Sequence, residues 1–134
     1  MRSRSPRLPS DPLFLDEGLG SKKVADALRS AGATVELHRD HFTPGTPDDE
    51  WLPAAAANGW IILSKDRAIR RRANERQAVT DSAARLFVLT SANMTGEEMA
   101  SAFVAALPRI AKACSAASGP MMKVVHRDGT LDDL

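Results

Sequence analysis

Two aspartates in this 134-residue chain follow apolar runs, where a parallel sheet would gather them, and a third could lie close to them if its loop folds back. Asp16 follows the apolar run "PLFL", Asp66 follows "WIILSK", and Asp48 opens the acidic triplet of the helix before that second run. Carboxylates a few Å apart raise each other's pKa and need a compensating cation. Hard oxygen ligands suit Mg²⁺ or Mn²⁺, and such an ion can activate a water and stabilise displacement at phosphorus. The pattern predicts a metal site for phosphate ester chemistry.

A dense group of basic residues surrounds Asp66. Lys65, Arg67, Arg70 and Arg71 are predicted to hold a polyanionic backbone, because cationic side chains pair with phosphate oxygens. The consecutive arginines from 70 to 72 fan around a helix, so at least one of them is expected to be only solvated. Acids and arginines together predict one site that acts on nucleic acid.

The elements that must position these residues alternate between strand and helix. Strands are predicted at residues 12–16, 33–40, 60–63, 84–90 and 121–129, and an arginine-rich helix after Asp66 is predicted to continue through residues 74–84. This order indicates parallel βαβ units, and so a three-layer α/β/α sandwich whose parallel sheet has about four or five strands. Ligand sites in such sheets lie outside the carboxyl ends of the strands, where Asp16, Asp40 and Asp66 would meet.

The remaining segments complete the predicted organisation. We expect a disordered basic arm at residues 1–11, one domain over 12–127, and a flexible tail at 128–134, with residues 121–129 as the edge strand. Thr95 and Glu98 have the spacing of a capping box at the start of a long helix. Pro108 is expected to kink that helix or divide it in two.

Composition limits the class of protein. The chain is 43% apolar and 26% charged with a formal net charge of +1, which is typical of one globular domain and too neutral for a protein that is basic throughout. Cys114 is the sole cysteine, so no internal disulfide forms, and we expect an inert thiol in a reducing cytoplasm. No apolar segment predicts a signal peptide or membrane span. His38 and His41 are expected to be surface or loop residues rather than metal ligands, since no third nitrogen or sulfur ligand has suitable spacing.

The stretches "FLDEGLG" and "PDDEWLPAAAANGWIILSKD", with the basic segment after them, resemble the PIN-domain nucleases. The resemblance is to the PIN-like branch whose members begin with Phe-Leu-Asp-Glu and carry an Asp about eighteen positions before a Thr/Ser-Lys-Asp, and it covers most of residues 13–127. It implies a parallel α/β/α sandwich, an Mg²⁺ or Mn²⁺ cofactor and endoribonuclease activity. Many members are VapC-type toxins of bacterial toxin–antitoxin pairs. The resemblance therefore implies an RNA substrate and a cognate antitoxin, in a homodimer or a toxin–antitoxin complex.

By position, the resemblance makes Asp16, Asp48 and Asp66 the three catalytic metal ligands. The match departs from the family at a fourth acid, because many members have an Asp or Asn a few residues after the third, where this chain has residues 67–70, "RAIR". Either one metal is held by three acids, or a fourth ligand such as Asp40 comes from elsewhere.

Other interpretations stay open. Asp48 also suits a helix N-terminus with no further role, and Trp51 is expected to pack behind the site rather than stack on a base. The fold could serve a catalytically inactive PIN-like module that binds RNA or protein and regulates. A receiver-like phosphoacceptor fits poorly, because Asp66 lies beyond the third strand behind Lys65, and Lys123 lies at the start of the last strand.

Overall fold

The computed structural model describes residues 8–19, 22–65, 72–91 and 93–133. In chain order the elements are β1 Leu13–Leu15, α1 Lys22–Ser30, β2 Val35–Leu37, α2 Asp48–Ala57, β3 Ile61–Ser64, α3 Ala73–Ser82, β4 Arg85–Leu89, α4 Gly96–Ala116, β5 Met121–Val125 and β6 Leu131–Asp133. Two 3₁₀ turns, Glu17–Leu19 and His38–Asp40, follow β1 and β2. The described helices are all too short or too polar to span a bilayer.

The strands form one sheet in the order β2-β1-β3-β4-β5-β6. Neighbours among β1 to β5 pair in parallel, and β6 pairs antiparallel with β5. Side chains alternate along each central strand between two cores. Leu13 and Leu15 lie in the core that also holds Val24 of α1 and Phe103 of α4, whereas Phe14 lies with Trp51 of α2 in the other. Helices thus cover both faces, and the predicted three-layer α/β/α class is confirmed.

The chain ends in a hairpin rather than a tail. Leu131 pairs with Val125 and Asp133 with Lys123, so β6 forms the sheet edge where residues 121–129 were predicted to lie. The salt bridge from Lys123 Nζ to Asp133 Oδ1, 2.6 Å long, joins the two strands. A three-residue strand of mixed polarity has little apolar periodicity, which is why this pairing was missed.

Two other segments differ from prediction. Residues 8–11 of the expected arm pack against the domain, where Asp11 forms an ion pair with Arg85.

Helix α4 continues unbroken through Pro108, so the proline does not divide it. The missing N–H removes one helical hydrogen bond, and the buried face of Phe103, Leu107 and neighbouring residues holds both halves together. The predicted capping box is present: Thr95 N donates to Glu98 Oε1 at 2.8 Å, and Glu98 N donates to Thr95 Oγ1 at 3.1 Å.

Candidate active site

Asp16 lies at the carboxyl end of β1, the strand between β2 and β3 in the sheet. Leu15 is in register with Leu63 of β3, which places Asp16 beside Ser64. The backbone N–H of Asp16 donates to Leu63 O at 3.0 Å, and Ser64 Oγ donates to Asp16 Oδ2 at 2.8 Å. Asp16 is only 8% exposed and Ser64 is fully buried. The carboxylate is therefore fixed by two neighbouring strands, and its orientation does not depend on a loop.

Asp48 is the first residue of α2, and it too is held by a buried group. Trp51, one helical turn later, is 1% exposed and donates from Nε1 to Asp48 Oδ1 at 2.8 Å. The prediction that Trp51 packs behind the site is confirmed, and its burial leaves no ring face for stacking on a base. Asp48 also stabilises the N-terminus of α2, because its negative charge interacts favourably with the positive end of the helix dipole.

The two carboxylates influence each other electrostatically. Burial raises the pKa of Asp16, the hydrogen bond from Ser64 lowers it, and the negative charge of Asp48 raises it again, so that the pKa lies above its usual range. A positive charge between these acids would relieve both the burial penalty and the repulsion. The structure thus brings together two of the three predicted acids.

A third acid, Glu75, lies next to Asp48 and was missed by sequence reasoning. Glu75 is only 8% exposed, and it accepts a 2.8 Å hydrogen bond from Arg72 Nη1. The same nitrogen lies 3.6 Å from Asp48 Oδ2. Burial raises the pKa of Glu75, the hydrogen bond from Arg72 lowers it, and contact with Asp48 raises it, with a net increase. Glu75 is the single acid in the first turn of α3, and only the packing of α2 against α3 brings it to the site.

The helix that carries Glu75 begins later than predicted. Helix α3 starts at Ala73, and Arg72 has extended backbone angles of φ −85° and ψ 118° as its N-cap residue. The prediction of an unbroken helix through the arginine run is therefore wrong at Arg72. The extended residue Arg72 contacts both Asp48 and Glu75.

The other predicted site residues are less well placed. Lys65 follows β3. Its side chain lies against the 3₁₀ turn after β1, since a Cβ at Gly18 would be 3.3 Å from Lys65 Cε. Asp40 is exposed at the end of its 3₁₀ turn, and within the described part of the chain no hydrogen bond or ion pair joins it to Asp16 or Asp48. Asp66, Arg67, Arg70 and Arg71 fall outside the described residues.

The two histidines behave differently. His41 is exposed and its Nε2 lies 2.7 Å from Glu36 Oε1, as suits a surface residue. His38 was predicted to be a surface or loop residue, and the surface alternative is wrong: it lies in the turn after β2 but is only 3% exposed. Its ring lies among those of Phe14, Phe42 and Trp51, because the 3₁₀ turn after β2 directs it inward.

The chemistry of these donors suits a hard divalent ion. Asp16 and Asp48 offer carboxylate oxygens. The pKa of Asp16 is raised first by burial and then by the charge of Asp48, and a bound Mg²⁺ or Mn²⁺ would offset both. Within residues 8–19, 22–65, 72–91 and 93–133, no group of three acids, histidines or cysteines is close enough to hold a metal. The predicted third ligand, Asp66, is not among those residues.

Comparisons with known proteins agree with this geometry. The family described as "PIN like domain" matches residues 12–91, more than half of the chain. The chain belongs to the PIN-like family. The chain is also 37% identical over 120 residues to "Putative ribonuclease VapC45" of Mycobacterium tuberculosis (strain ATCC 25618 / H37Rv), which covers 87% of this chain and 86% of that protein. No solved structure matches the chain significantly.

The PIN-like match covers β1 through β4 together with Asp16, Asp48 and Glu75. Helix α4 and the β5–β6 hairpin follow the matched region. All of the site chemistry therefore falls in the shared part of the fold, while α4 contributes the buried face that supports β1, β3 and β4 from one side.

Proposed function

We propose that this protein is a metal-dependent endoribonuclease that hydrolyses RNA phosphodiester bonds in the cytoplasm, as the toxin of a toxin–antitoxin pair. The observation that carries the proposal is the buried carboxylate of Asp16, which is fixed by Ser64 and has a raised pKa beside Asp48. It lies where the carboxyl ends of the strands meet in a PIN-like sheet. The name of the M. tuberculosis relative supports the choice of RNA as substrate.

In this proposal Asp16, Asp48 and Asp66 hold Mg²⁺ or Mn²⁺. When bound, such an ion supplies a water of lowered pKa and positive charge for displacement at phosphorus. Glu75 is proposed as the further acid in place of Asp40, because it is buried and contacts Asp48, whereas Asp40 is exposed.

The surrounding residues orient these acids. Ser64 donates to Oδ2 of Asp16, and Trp51 donates to Oδ1 of Asp48, so each carboxylate is oriented by a buried side-chain donor. Arg72 lies between Asp48 and Glu75 and offsets their repulsion. Lys65, with the arginines at 67, 70 and 71, is proposed to bind the RNA backbone through its phosphates.

A cleavage assay tests the enzymatic part. A labelled single-stranded RNA is incubated with the wild-type protein and with Asp16→Asn, in Mg²⁺ or Mn²⁺ and in EDTA. We expect wild-type cleavage that EDTA suppresses, and an Asp16→Asn protein that still binds the RNA without cutting it. RNA binding without metal-dependent cleavage by the wild type would contradict the proposal and favour an inactive, RNA-binding PIN-like module.

Salt dependence tests the basic residues separately. Replacing Arg67, Arg70 and Arg71 with Gln should weaken RNA binding and flatten its dependence on salt, by roughly 0.7 in the log–log slope for each lost phosphate contact. Arg109→Gln, an exposed arginine on α4, provides the control. An unchanged slope in the triple variant would place the RNA elsewhere.

The partner is proposed to be an antitoxin protein, with the toxin itself as a homodimer or in the toxin–antitoxin complex. Co-expression with the neighbouring reading frame, followed by size-exclusion chromatography and the same cleavage assay, tests this. We expect a stable complex in which cleavage is inhibited. A monomer that does not associate with that product would contradict the toxin assignment while leaving the nuclease assignment intact.

A further inference from the structure

A small cavity of ≈ 140 Å³ lies beside Asp16. Its lining consists of the end of β1, the end of β2 and the 3₁₀ turns that follow them: Leu15, Asp16, Glu17, Leu37, His38 and Arg39. It is therefore bounded by the proposed metal ligand on one strand and by His38 on the neighbouring strand.

His38 is a buried polar residue without a visible partner. Among the residues that the structure describes, neither Nδ1 nor Nε2 has a hydrogen-bond partner, although the side chain is almost completely buried. Three aromatic rings surround it, with centroid distances of 6.1 Å to Phe14, 5.4 Å to Phe42 and 6.0 Å to Trp51. Buried imidazole nitrogens without a partner are destabilising, so a site that only needed to be filled would favour an apolar ring.

The cavity can supply the missing partner as water. A buried water needs only about 10–15 Å³ of such space and two to four polar partners, so ≈ 140 Å³ has room for more than one. The polar residues that line it are Asp16, Glu17, His38 and Arg39. Asp16 Oδ2 already accepts from Ser64, but a carboxylate has further lone pairs that a water can donate to.

We propose that ordered water in this cavity bridges a ring nitrogen of His38 to the carboxylate of Asp16, which makes His38 a positioning residue of the metal site. The inference rests on the proposed function for its consequence, because orienting Asp16 matters most if Asp16 binds a metal. Outer partners of metal ligands typically contribute 10- to 100-fold in metal affinity. The two ends of the bridge come from β1 and β2, so the bridge also couples the site to the edge strand.

A metal titration tests the positioning role without depending on catalysis. The melting temperature is followed against Mn²⁺ concentration for the wild type, His38→Phe, His38→Gln and His41→Phe. His38→Phe keeps a ring among its aromatic neighbours but removes both nitrogens. We expect it to weaken the apparent Mn²⁺ affinity by about 10-fold or more, His38→Gln to recover part of that loss, and His41→Phe to match the wild type. An affinity for His38→Phe equal to that of the wild type would overturn the positioning role.

A crystal structure of the metal-free wild type tests the bridge itself. We expect an ordered water, or a chain of two, within hydrogen-bond distance of both the His38 ring and the Asp16 carboxylate. A dry cavity, or a direct contact of His38 with another side chain, would overturn the inference even if Mn²⁺ binds. If the wild type does not respond to Mn²⁺, the proposed metal chemistry fails, and this structure still decides the presence of the bridge.

Discussion

The amino ends of the parallel strands form one edge of the central sheet, here the amino edge, and their carboxyl ends form the other, the carboxyl edge. Both carry buried or half-buried charge, but the charge is compensated differently at each. At the amino edge Arg85 has a side chain only 13% exposed, lies 3.0 Å from Asp11 Oδ2 and donates to Gly59 O at 2.8 Å. At the carboxyl edge Asp16 is buried beside another acid, and its pKa is raised. The first edge pairs opposite charges one to one. At the second, Arg72 contacts Asp48 and Glu75, but no ion pair among the described residues reaches Asp16.

The difference distinguishes a structural ion pair from a site prepared for a ligand. Arg85 and Asp11 neutralise each other, so the amino edge needs no ligand to compensate its charge. Burial raises the pKa of the nearby Cys114 thiol and leaves it a poor nucleophile, as expected from the sequence. At the other edge the raised pKa of Asp16 agrees with the proposed metal site, since a divalent ion would offset its causes. Variants at the two edges should therefore separate stability from activity.

The largest effect is expected from the acids of the carboxyl edge. Asp16→Asn and Asp48→Asn should each lower RNA cleavage by more than about 100-fold, because loss of a proposed metal ligand should exceed the 10- to 100-fold effect typical of outer partners. Asp11→Asn, at the amino edge, is the matched control and should cleave at the wild-type rate. Rates of RNA cleavage under saturating Mg²⁺ measure this. Equal losses in all three variants would show that the two edges do not differ in function.

A smaller effect is expected from the residue that orients Asp48. Trp51→Phe removes the Nε1–H donor to Asp48 Oδ1 but keeps an aromatic ring, and should lower cleavage by roughly 10- to 100-fold. Trp60→Phe is the control, because Trp60 stacks on Phe14 at 5.3 Å and donates to neither acid in the described hydrogen bonds. It should lose some stability and little activity. Cleavage by Trp51→Phe at the rate of Trp60→Phe would remove Trp51 from the site.

At the amino edge the expected change is in stability alone. Arg85→Met removes the ion pair with Asp11 and the charged hydrogen bond to Gly59 O, and should lower the free energy of unfolding by about 1–3 kcal/mol. Urea denaturation measures the difference, with Arg109→Met on the exposed face of α4 as a control that changes little. Cleavage by folded Arg85→Met should equal that of the wild type; a large loss of activity would mean that this edge takes part in function.

The same contrast explains how far the sequence predicts the molecule. The order of strands and helices, and the position of Asp16, follow from apolar periodicity and from the rule for parallel sheets, whereas Asp48 was singled out by the resemblance to the PIN-domain nucleases. Trp51 could be placed behind Asp48 because both lie within one turn of the same helix.

Glu75 and His38 could not be found in that way. Each becomes a site residue only through packing between elements that are distant in the chain, α2 with α3 for Glu75 and β2 with β1 for His38. No local spacing records these contacts. The β5–β6 hairpin was missed for a related reason, since its last strand is too short and too polar to show an apolar period.

The central claim is that the buried carboxylate of Asp16, beside the charge of Asp48, binds a divalent metal ion. Measurements of thermal stability against pH and Mg²⁺ concentration test this claim most directly. Because the native pKa of Asp16 is raised above 3.8, its contribution to stability is fully present below about pH 3.8 and is lost as pH rises through the native pKa. At neutral pH without metal, Asp16→Asn should therefore melt above the wild type, and the difference should shrink toward pH 3.8. Mg²⁺ should raise the melting temperature of the wild type and leave that of Asp16→Asn unchanged. A wild-type protein insensitive to Mg²⁺, with Asp16→Asn less stable than it at neutral pH, would contradict the account.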